Sequence, residues 1–379
     1  MWKRSETDNR RVIIVDIAHL CYKAAFGGMP ALTATLKVGD SVKTINTTIP
    51  TFVIKRVHVY SNGGHYPVVC CFDGKGGNRS RKQYFKSISL DGNKADYKGN
   101  RNFENGQFYE SVNTTLMMLH NSGVCCLRAD TYEADDLIKA AVDLAKKQYP
   151  DLPIDIITGD TDLVPLVDEQ VSVFLRSMKM TWAESEELKK NHYVQLTPDN
   201  FSEYLESLTN YKNLIVPYNT LLLTKLLRGD KADAVPGYPK FTPTKYKNLI
   251  SDMYYDGVDL GSVFRYDNPT ETLCFRDTGE AVPQDMIEAG SVPRDNLMVR
   301  YGEPKKLTEI KSVLSNYLDE DIVKHVEMVY NGINLNNAFI HVPNEYKRQP
   351  AKLVTSIKGY EKGVLQANIS RLRINLPMV

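Results

Sequence analysis

The stretch "TYEADDL", Thr131 to Leu137, packs Glu133, Asp135 and Asp136 into four positions, directly ahead of the apolar-periodic run "IKAAVDLA". Carboxylates this close repel one another and lose hydration when buried, so a stable protein needs a reason to keep them together. Further acids stand in comparable places: Asp16 after "VIIV", Asp73 after "VVCCF" and Asp160 after "IDIITG". Asp162 follows in "GDTDL", and Asp230 and Asp233 lie in "RGDKADAVPG". Any one of these reads equally well as a helix or turn cap. Acids in a first helical turn also complement the helix dipole, at about 0.3 to 1 kcal/mol each. The set as a whole needs more than capping. Carboxylates drawn from five separated segments, with no accompanying His or Cys, describe an oxygen-ligand site for hard divalent cations, magnesium or manganese. Such ions relieve the repulsion, and a pair of them can activate water and stabilise the leaving oxygen in phosphodiester cleavage.

These acids have to be brought together by a fold. Short β-branched runs alternate with longer helix-period stretches, which predicts crossover units and an α/β architecture with a mostly parallel sheet flanked by helices. The predicted strands are Val12 to Ala18, Pro67 to Asp73, Ile154 to Asp160 and Val171 to Ser177. Helices are expected over about 50 to 61, 103 to 121, 132 to 148, 161 to 168 and 199 to 209, the last with Thr197 as its cap and Pro198 at its first position. Three of the four strands finish on an aspartate, and ligands of open parallel sheets bind beyond the carboxyl ends of the strands. The helix after "TYEADDL" carries Ala134, Leu137, Ile138, Ala141, Val142 and Ala145 as its core stripe, so its acidic first turn lies at that same edge. A haloacid-dehalogenase-like phosphatase also places "GD…D" after a strand. It would want a second Asp two residues after the first, and "VDIAHL" does not supply it.

Between Lys75 and Arg101 stand eight basic residues against Asp91 and Asp96, interspersed with glycines. A charge run of this kind is ordinarily a solvated loop. Rooted directly after Asp73, it also suits a phosphate-backbone substrate, with Tyr84, Phe85 and Tyr97 available for base stacking. Over the 379 residues, 47 Lys and Arg balance 46 Asp and Glu, so affinity for nucleic acid has to come from such local patches. Six cysteines lie mostly in apolar runs without zinc-site spacing and read as reduced core residues. The start lacks a secretory apolar region and no run approaches the ~20 residues of a membrane span, so a soluble, cytoplasmic protein is expected, in the host cytoplasm if phage-encoded.

The motifs "VDIAHL", "CFDGKGGNRSRKQYF", "DYKGNR", "YEADDL", "ITGDTDLVPLV" and "LLRGDKADAVPG", in this order, resemble the metal-dependent 5′ nuclease family: bacteriophage flap endonucleases and the 5′ nuclease domain of bacterial DNA polymerases. The resemblance covers about residues 10 to 250 and implies a PIN-like nuclease domain over 1–215, with a basic arch or clamp at about 75–101. A helical DNA-binding region over 216–345 and a basic tail over 346–379 would follow. It implies a structure-specific 5′ to 3′ nuclease with two Mg²⁺ ions, Mn²⁺ substituting. Its substrates would be DNA with 5′ ends, flaps or nicks, or RNA–DNA hybrids. By position, Asp16, Asp73, Glu133, Asp135 and Asp136 would form the first metal site. Asp160, Asp162 and Asp233 would extend it towards a second ion, with Asp230 in support. Lys98 and Arg101 would steer the scissile phosphate, and Arg79, Arg81, Lys82, Lys86 and Tyr97 would guide the entering strand. After "VPG" the family carries a glycine-rich helix-hairpin turn, often with a potassium ion. Here Pro239, Thr242 and Pro243 stand near the expected glycines, so the motif is degenerate and the K⁺ site is left open. Lys240, Lys245 and Lys247 remain available to duplex phosphate. A monomer is expected, and the tail's seven basic residues against Glu361 suit solvent, or less readily a DNA or replication-protein contact. An RNase H-like exonuclease with weak flap preference and a non-catalytic DNA-binding module are the alternatives.

Overall fold

The computed structural model describes residues 10–28, 31–38, 41–87, 97–98, 106–128, 132–176, 193–200, 220–266, 269–289, 291–293 and 296–334. Its centre is a six-stranded sheet formed by β1 (Val12–Asp16), β4 (Val68–Phe72), β5 (Cys125–Arg128), β6 (Ile154–Thr158), β7 (Val171–Arg176) and β8 (Tyr193–Leu196). The spatial order is β5-β4-β1-β6-β7-β8, parallel throughout except for the antiparallel edge pair β7–β8. From β1 the chain builds outwards first on one side and then on the other, so the ligand crevice falls where β1 meets β6. Registers of Asp16 with Cys71 and of Val15 with Ile157 bring the ends of β4, β1 and β6 level.

Period-two alternation assigns the two faces. Ile13, Val15, Cys70, Phe72 and Ile157 face helices α1 (Ile17–Phe26), α2 (Thr48–Tyr60) and α4 (Gly106–Asn121). Val12, Ile14, Cys71, Ile154 and Ile156 face α5 (Ala134–Gln148) and the short 3-10 helix Thr161–Leu166. This second core runs on without a break into α6 (Leu221–Arg228), α7 (Pro243–Tyr255) and the short α8 (Leu260–Val263), and, beyond α9 (Gln284–Ala289), into α10 (Lys305–Leu314) and α11 (Glu320–Ile333). No disulfide joins any of the six cysteines, and all but the half-buried Cys125 are buried.

Several elements depart from expectation. The strands β5 and β8, each four residues long, were not predicted. The hairpin β2 (Thr33–Val38) and β3 (Ser41–Asn46) was also missed. Another hairpin, β9 (Pro269–Phe275) with β10 (Leu297–Pro304), interrupts what was expected to be an all-helical region. Thr197 to Asn200 form a turn, in which the Asn200 side chain accepts from Thr197 N and donates to Gln195 O, and 201–209 lie outside the described residues. Part of the basic stretch expected as loop is helix α3 (Arg79–Ser87). Its i, i+3, i+7 positions Arg79, Lys82 and Lys86 stay at least partly in solvent, while Arg81 and Phe85 are buried. Among the described residues, no helix is long and apolar enough to cross a membrane.

Candidate active site

Each acid at the sheet edge is placed by its backbone. Asp16 ends β1 and caps α1, its side chain accepting from His19 N at 3.3 Å and from Thr158 Oγ1 at 2.9 Å. Asp73 follows β4 and accepts from Ala134 N at 2.8 Å, which fastens it to the start of α5. Gly77 lets this turn lie against α5: a Cβ there would stand 2.6 Å from the Tyr132 carbonyl oxygen. Asp160 caps the 3-10 helix by accepting from Asp162 N at 2.9 Å. Glu133 and Asp136 form a capping box at the head of α5, with Asp136 accepting from Glu133 N at 3.0 Å.

The acids divide into two electrostatic classes. One class is tied to buried cations. Arg81 ion-pairs Asp136 and lies 2.5 Å from Glu133, while Lys98 Nζ stands 2.5 Å from the other Glu133 oxygen and 3.7 Å from Asp233. Lys225 ion-pairs Asp162 and lies 3.0 Å from Asp230. Burial opposes the charge of Glu133 and of Asp162, but Arg81 with Lys98 and, in turn, Lys225 win and hold both below the ordinary carboxylate range. The second class has no such partner. Burial, then Asp73, raises Asp16 to about 6. Burial, then Asp162, raises Asp160 to about 8. Asp135 is pushed well up by burial and then by Asp160 and Asp16. Asp73 is raised too, although its side chain reaches solvent at the mouth of the crevice; withdrawal from bulk water comes first and Glu133 adds repulsion. Asp16, Asp73, Asp135 and Asp160 are therefore under-compensated negative charge, the condition an added cation relieves.

These all-oxygen donors fit a hard divalent ion. Among the described residues, no three of them converge tightly enough to enclose one as they stand. Arg81, Lys98 and Lys225 draw neighbouring carboxylates towards themselves, which accounts for the open arrangement.

Four expectations change. Asp136, expected as a metal ligand, is fully buried and committed to Arg81, because consecutive helical positions point ~100° apart and only Asp135 is left for the crevice. Arg81, expected on the entering strand, is 9% exposed and serves as counter-ion inside the protein. Tyr97 and Phe85, expected to stack on bases, are buried and stack on each other at 5.4 Å, with Tyr97 Oη donating to Glu133 at 3.2 Å. Asp230 and Asp162 share Lys225, which sequence reasoning missed; its signal was a lone lysine inside "LLLTKLL". Lys98 lies among the acids with φ of +52°, its N–H donating to the Asp233 carbonyl at 2.9 Å, and Arg101 lies outside the described residues. Lys240, Lys245 and Lys247 are exposed around the start of α7, where Thr242 and Pro243 begin a helix. The turn between α6 and α7 uses Gly229, at φ +72°, whose Cβ would meet the Gly237 N–H at 2.4 Å.

Residues 11–195 match the family model of the 5′-3′ exonuclease N-terminal, resolvase-like domain. The 5′-3′ exonuclease of Bacillus subtilis is 25% identical over 262 residues, 66% of this chain and 73% of that protein. DNA polymerase I of Streptococcus pneumoniae is 26% identical over 253 residues, and that of Lactococcus lactis 29% over 149. The chain spans 25% and 14% of the length of these two polymerases. Among solved structures, the bacteriophage T5 D15 protein co-crystallized with metal ions aligns at 13% identity over 97% of this chain and 99% of its own, with a TM-score of 0.48. Over residues 11–195 the chain is thus similar to the 5′-3′ exonuclease family, by its N-terminal resolvase-like domain.

Proposed function

We propose that this protein is a divalent-metal-dependent 5′ nuclease that hydrolyses phosphodiester bonds in DNA near 5′ ends, flaps or nicks, with Mg²⁺ as the working ion and Mn²⁺ as a substitute. The observation that carries the reading is the contrast between Asp16, Asp73, Asp135 and Asp160, which are left without adequate countercharge, and their neighbours, which are supplied with it. A fold that places Arg81, Lys98 and Lys225 within the same cluster would neutralise all the acids if structure were the only demand. Asp16, Asp73, Asp135 and Asp160 would hold the ions, with Glu133, Asp162 and Asp233 reaching them as their lysine contacts yield. Bound there, the ions supply an activated water and charge stabilisation at the scissile phosphate and leaving oxygen.

The chain's own groups do the rest. Thr158 Oγ1 and His19 N fix both oxygens of Asp16 so that neither swings away. Lys98, a cation held among anions, is placed to meet the phosphate that replaces Glu133 as its partner, and to stabilise charge as it develops there. Arg79, Lys82 and Lys86 present a basic face of α3 to the backbone of an incoming strand, and Lys240, Lys245 and Lys247 do so around α7. The proline-bearing turn before α7 favours a looser hold on duplex, hence an exonuclease balance over strict flap selection.

The test is incubation with 5′-labelled flap, nicked and RNA–DNA substrates in Mg²⁺ or EDTA, comparing Asp135→Asn with the parent. Product from the parent in Mg²⁺ alone, and at least about 100-fold less from the variant, is expected from loss of a metal ligand. No product from the parent on any substrate, or equal cutting by Asp135→Asn, would remove the catalytic reading.

A further inference from the structure

His19 touches two of the acid-bearing segments without adding charge to either. Its backbone N–H donates to Asp16 at 3.3 Å, and its ring lies against the turn that leads from β6 to Asp160. A Cβ at Gly159 would stand 2.3 Å from the His19 Nδ1 and 3.0 Å from its Cε1. Gly159 is not in the left-handed region, so the imidazole, and not the backbone, is what excludes a side chain there. The other end of the ring is held from the edge of the sheet: Nε2 meets the Tyr193 hydroxyl at 2.7 Å, with the two rings edge to face at 5.8 Å. Tyr193 opens β8 and is buried. Tyr60 on α2, buried as well, donates to the Tyr193 hydroxyl at 3.5 Å, and those rings also meet edge to face, at 6.5 Å.

A chain of contacts therefore runs from α2 and the edge strand, through one side chain of α1, to the turn after β6. Tyr60 spends its proton on Tyr193, which leaves the Tyr193 proton for Nε2 and puts the ring's own proton on Nδ1. Burial, then Arg176 and Lys23, keeps the imidazole neutral, with a pKa near 3. Unlike Arg81, Lys98 and Lys225, it gives the acids no countercharge; it governs their spacing. Asp16 and Asp160 come from the neighbouring strands β1 and β6, which run in register at Val15 and Ile157. One residue further on, the Thr158 hydroxyl donates to Asp16 at 2.9 Å and accepts from Asp160 N at 3.0 Å, which fixes the inner side of the gap. The His19 ring, packed on Gly159, fixes the outer side. A hard ion tolerates little error in such a gap. Mg²⁺ requires its oxygen ligands at about 2.0 to 2.1 Å in near-ideal octahedral geometry. The supporting groups must hold those ligands to within about 0.5 Å.

We propose that His19, braced by Tyr193, is a positioning residue of the acidic crevice: it fixes the spacing of Asp16 and Asp160 and thereby sets the affinity for the divalent ion. The proposal rests on the nuclease reading for its ion, but it concerns binding and is measured without cleavage. The Tyr193 hydroxyl is what makes the ring a brace. A buried hydroxyl or ring nitrogen left without its partner pays its full desolvation cost, so the two hold each other in one geometry. Without that bond the imidazole keeps its packing but is free to turn about its Cβ–Cγ bond, and the Gly159 turn gains room to move. Partners of this kind, one step removed from the ligands, ordinarily tune a metal site by orienting what touches the ion.

The experiment is calorimetric titration of the metal-free full chain with Mn²⁺, alongside thermal unfolding, for the parent, Y193F, H19Q, H19L and the Y193F/H19L double variant. Y193F deletes one hydroxyl and keeps the ring, so it tests the brace with the least disturbance of packing. Groups one step behind metal ligands are worth 10- to 100-fold in affinity; His19 acts through backbone, so the lower end, about tenfold weaker Mn²⁺ binding, is expected for Y193F and for H19L. H19Q, whose amide still reaches the Tyr193 hydroxyl, should retain the parent's affinity. The double variant should bind no more weakly than H19L, because the hydroxyl acts only through the ring. A purely structural contact would instead lower the melting temperature of Y193F and leave its Mn²⁺ affinity unchanged. That result, additive losses in the double variant, or an H19Q as weak as H19L would overturn the positioning role and leave the nuclease reading standing. Should H19L fail to fold, Y193F against the parent decides. If the parent binds no Mn²⁺, both fall.

Discussion

Replacing Arg81 by Met removes the guanidinium and keeps most of the side-chain volume, so it isolates the charge that holds Asp136 and Glu133. Asp136 is 0% exposed and Arg81 9%, so neither can turn to solvent without opening the head of α5. The loss then takes one of two forms. Breaking a buried ion pair on one side costs about 3 to 5 kcal/mol. Alternatively Asp136 takes up a proton, and raising a carboxyl from ~3.9 to the working pH of 7 costs about 4 kcal/mol at 1.36 per pH unit. The two routes agree at about 4 kcal/mol. With roughly 2 cal/mol/K of unfolding entropy per residue over 379 residues, that is a fall of about 5 °C in melting temperature if the chain melts as one unit. Glu133 keeps Lys98, so the damage should be confined to Asp136. Pairing Arg81→Met with Asp136→Leu removes the stranded charge and should recover all but about 1 kcal/mol, the usual cost of a lost capping contact, here the bond to Glu133 N. Urea and thermal unfolding of parent, single and double variants read this directly. A single variant within 1 kcal/mol of the parent, or a double no more stable than the single, would show that Arg81 is not the counter-ion of Asp136.

Asp135→Asn should raise the melting temperature of the metal-free protein while weakening Mn²⁺ binding at least tenfold by calorimetry, because it removes a buried charge that only a metal relieves; a destabilised variant with intact metal affinity would contradict this. For the metal-free protein, stability should rise as pH falls from 8 towards 6.5. Over that window Asp160, with its folded pKa near 8, binds a proton that the unfolded chain does not, a gain of up to ~1.4 kcal/mol per pH unit. Below about 6.5 the neutral His19 opposes it, since only the unfolded chain protonates there, so a melting temperature that is flat or falling between pH 8 and 6.5 would count against an uncompensated Asp160. Gly77→Ala puts a methyl group 2.6 Å from the Tyr132 carbonyl, which is backbone and cannot step aside; about 1 to 3 kcal/mol of stability should be lost, with weaker metal binding as the Asp73 turn shifts, and an unchanged unfolding curve would refute the close approach.

The acids were legible in the sequence because strand ends and a helix start fix backbone position, and the alternation in "VIIVD" and "VVCCFD" was enough to bring Asp16 and Asp73 to one edge. What their side chains do there was not legible. Asp135 and Asp136 look equivalent in "EADDL", yet one faces the crevice and the other is held by Arg81, 55 positions away in the chain. No local pattern carries that pairing. Arg81 itself looked like one more base in a charge run, and only the helical period of α3 separates it from Arg79 and Lys82. Lys225 went unseen for the same reason: its partners Asp162 and Asp230 do not show as a pattern around "LLLTKLL". The strands β5 and β8 were missed because four residues are too few for alternation to show.

The unbroken core beneath the second face of the sheet sets a limit on modularity. Tyr84 on α3 donates to the Met328 carbonyl at 3.0 Å, and Phe85 sits on Gly332, where a Cβ would come within 2.4 Å of the ring. The basic helix beside the acids is thus seated on the last helix described, some 250 positions downstream. A chain cut after the sheet would keep Asp16, Asp73, Asp135 and Asp160 yet lose Asp233, Lys225 and the seat of α3, and with it the fixed position of Arg81. Residues that never approach a substrate can therefore drift in sequence only as far as that seat allows, which makes α11 a constraint on the chemistry it does not touch.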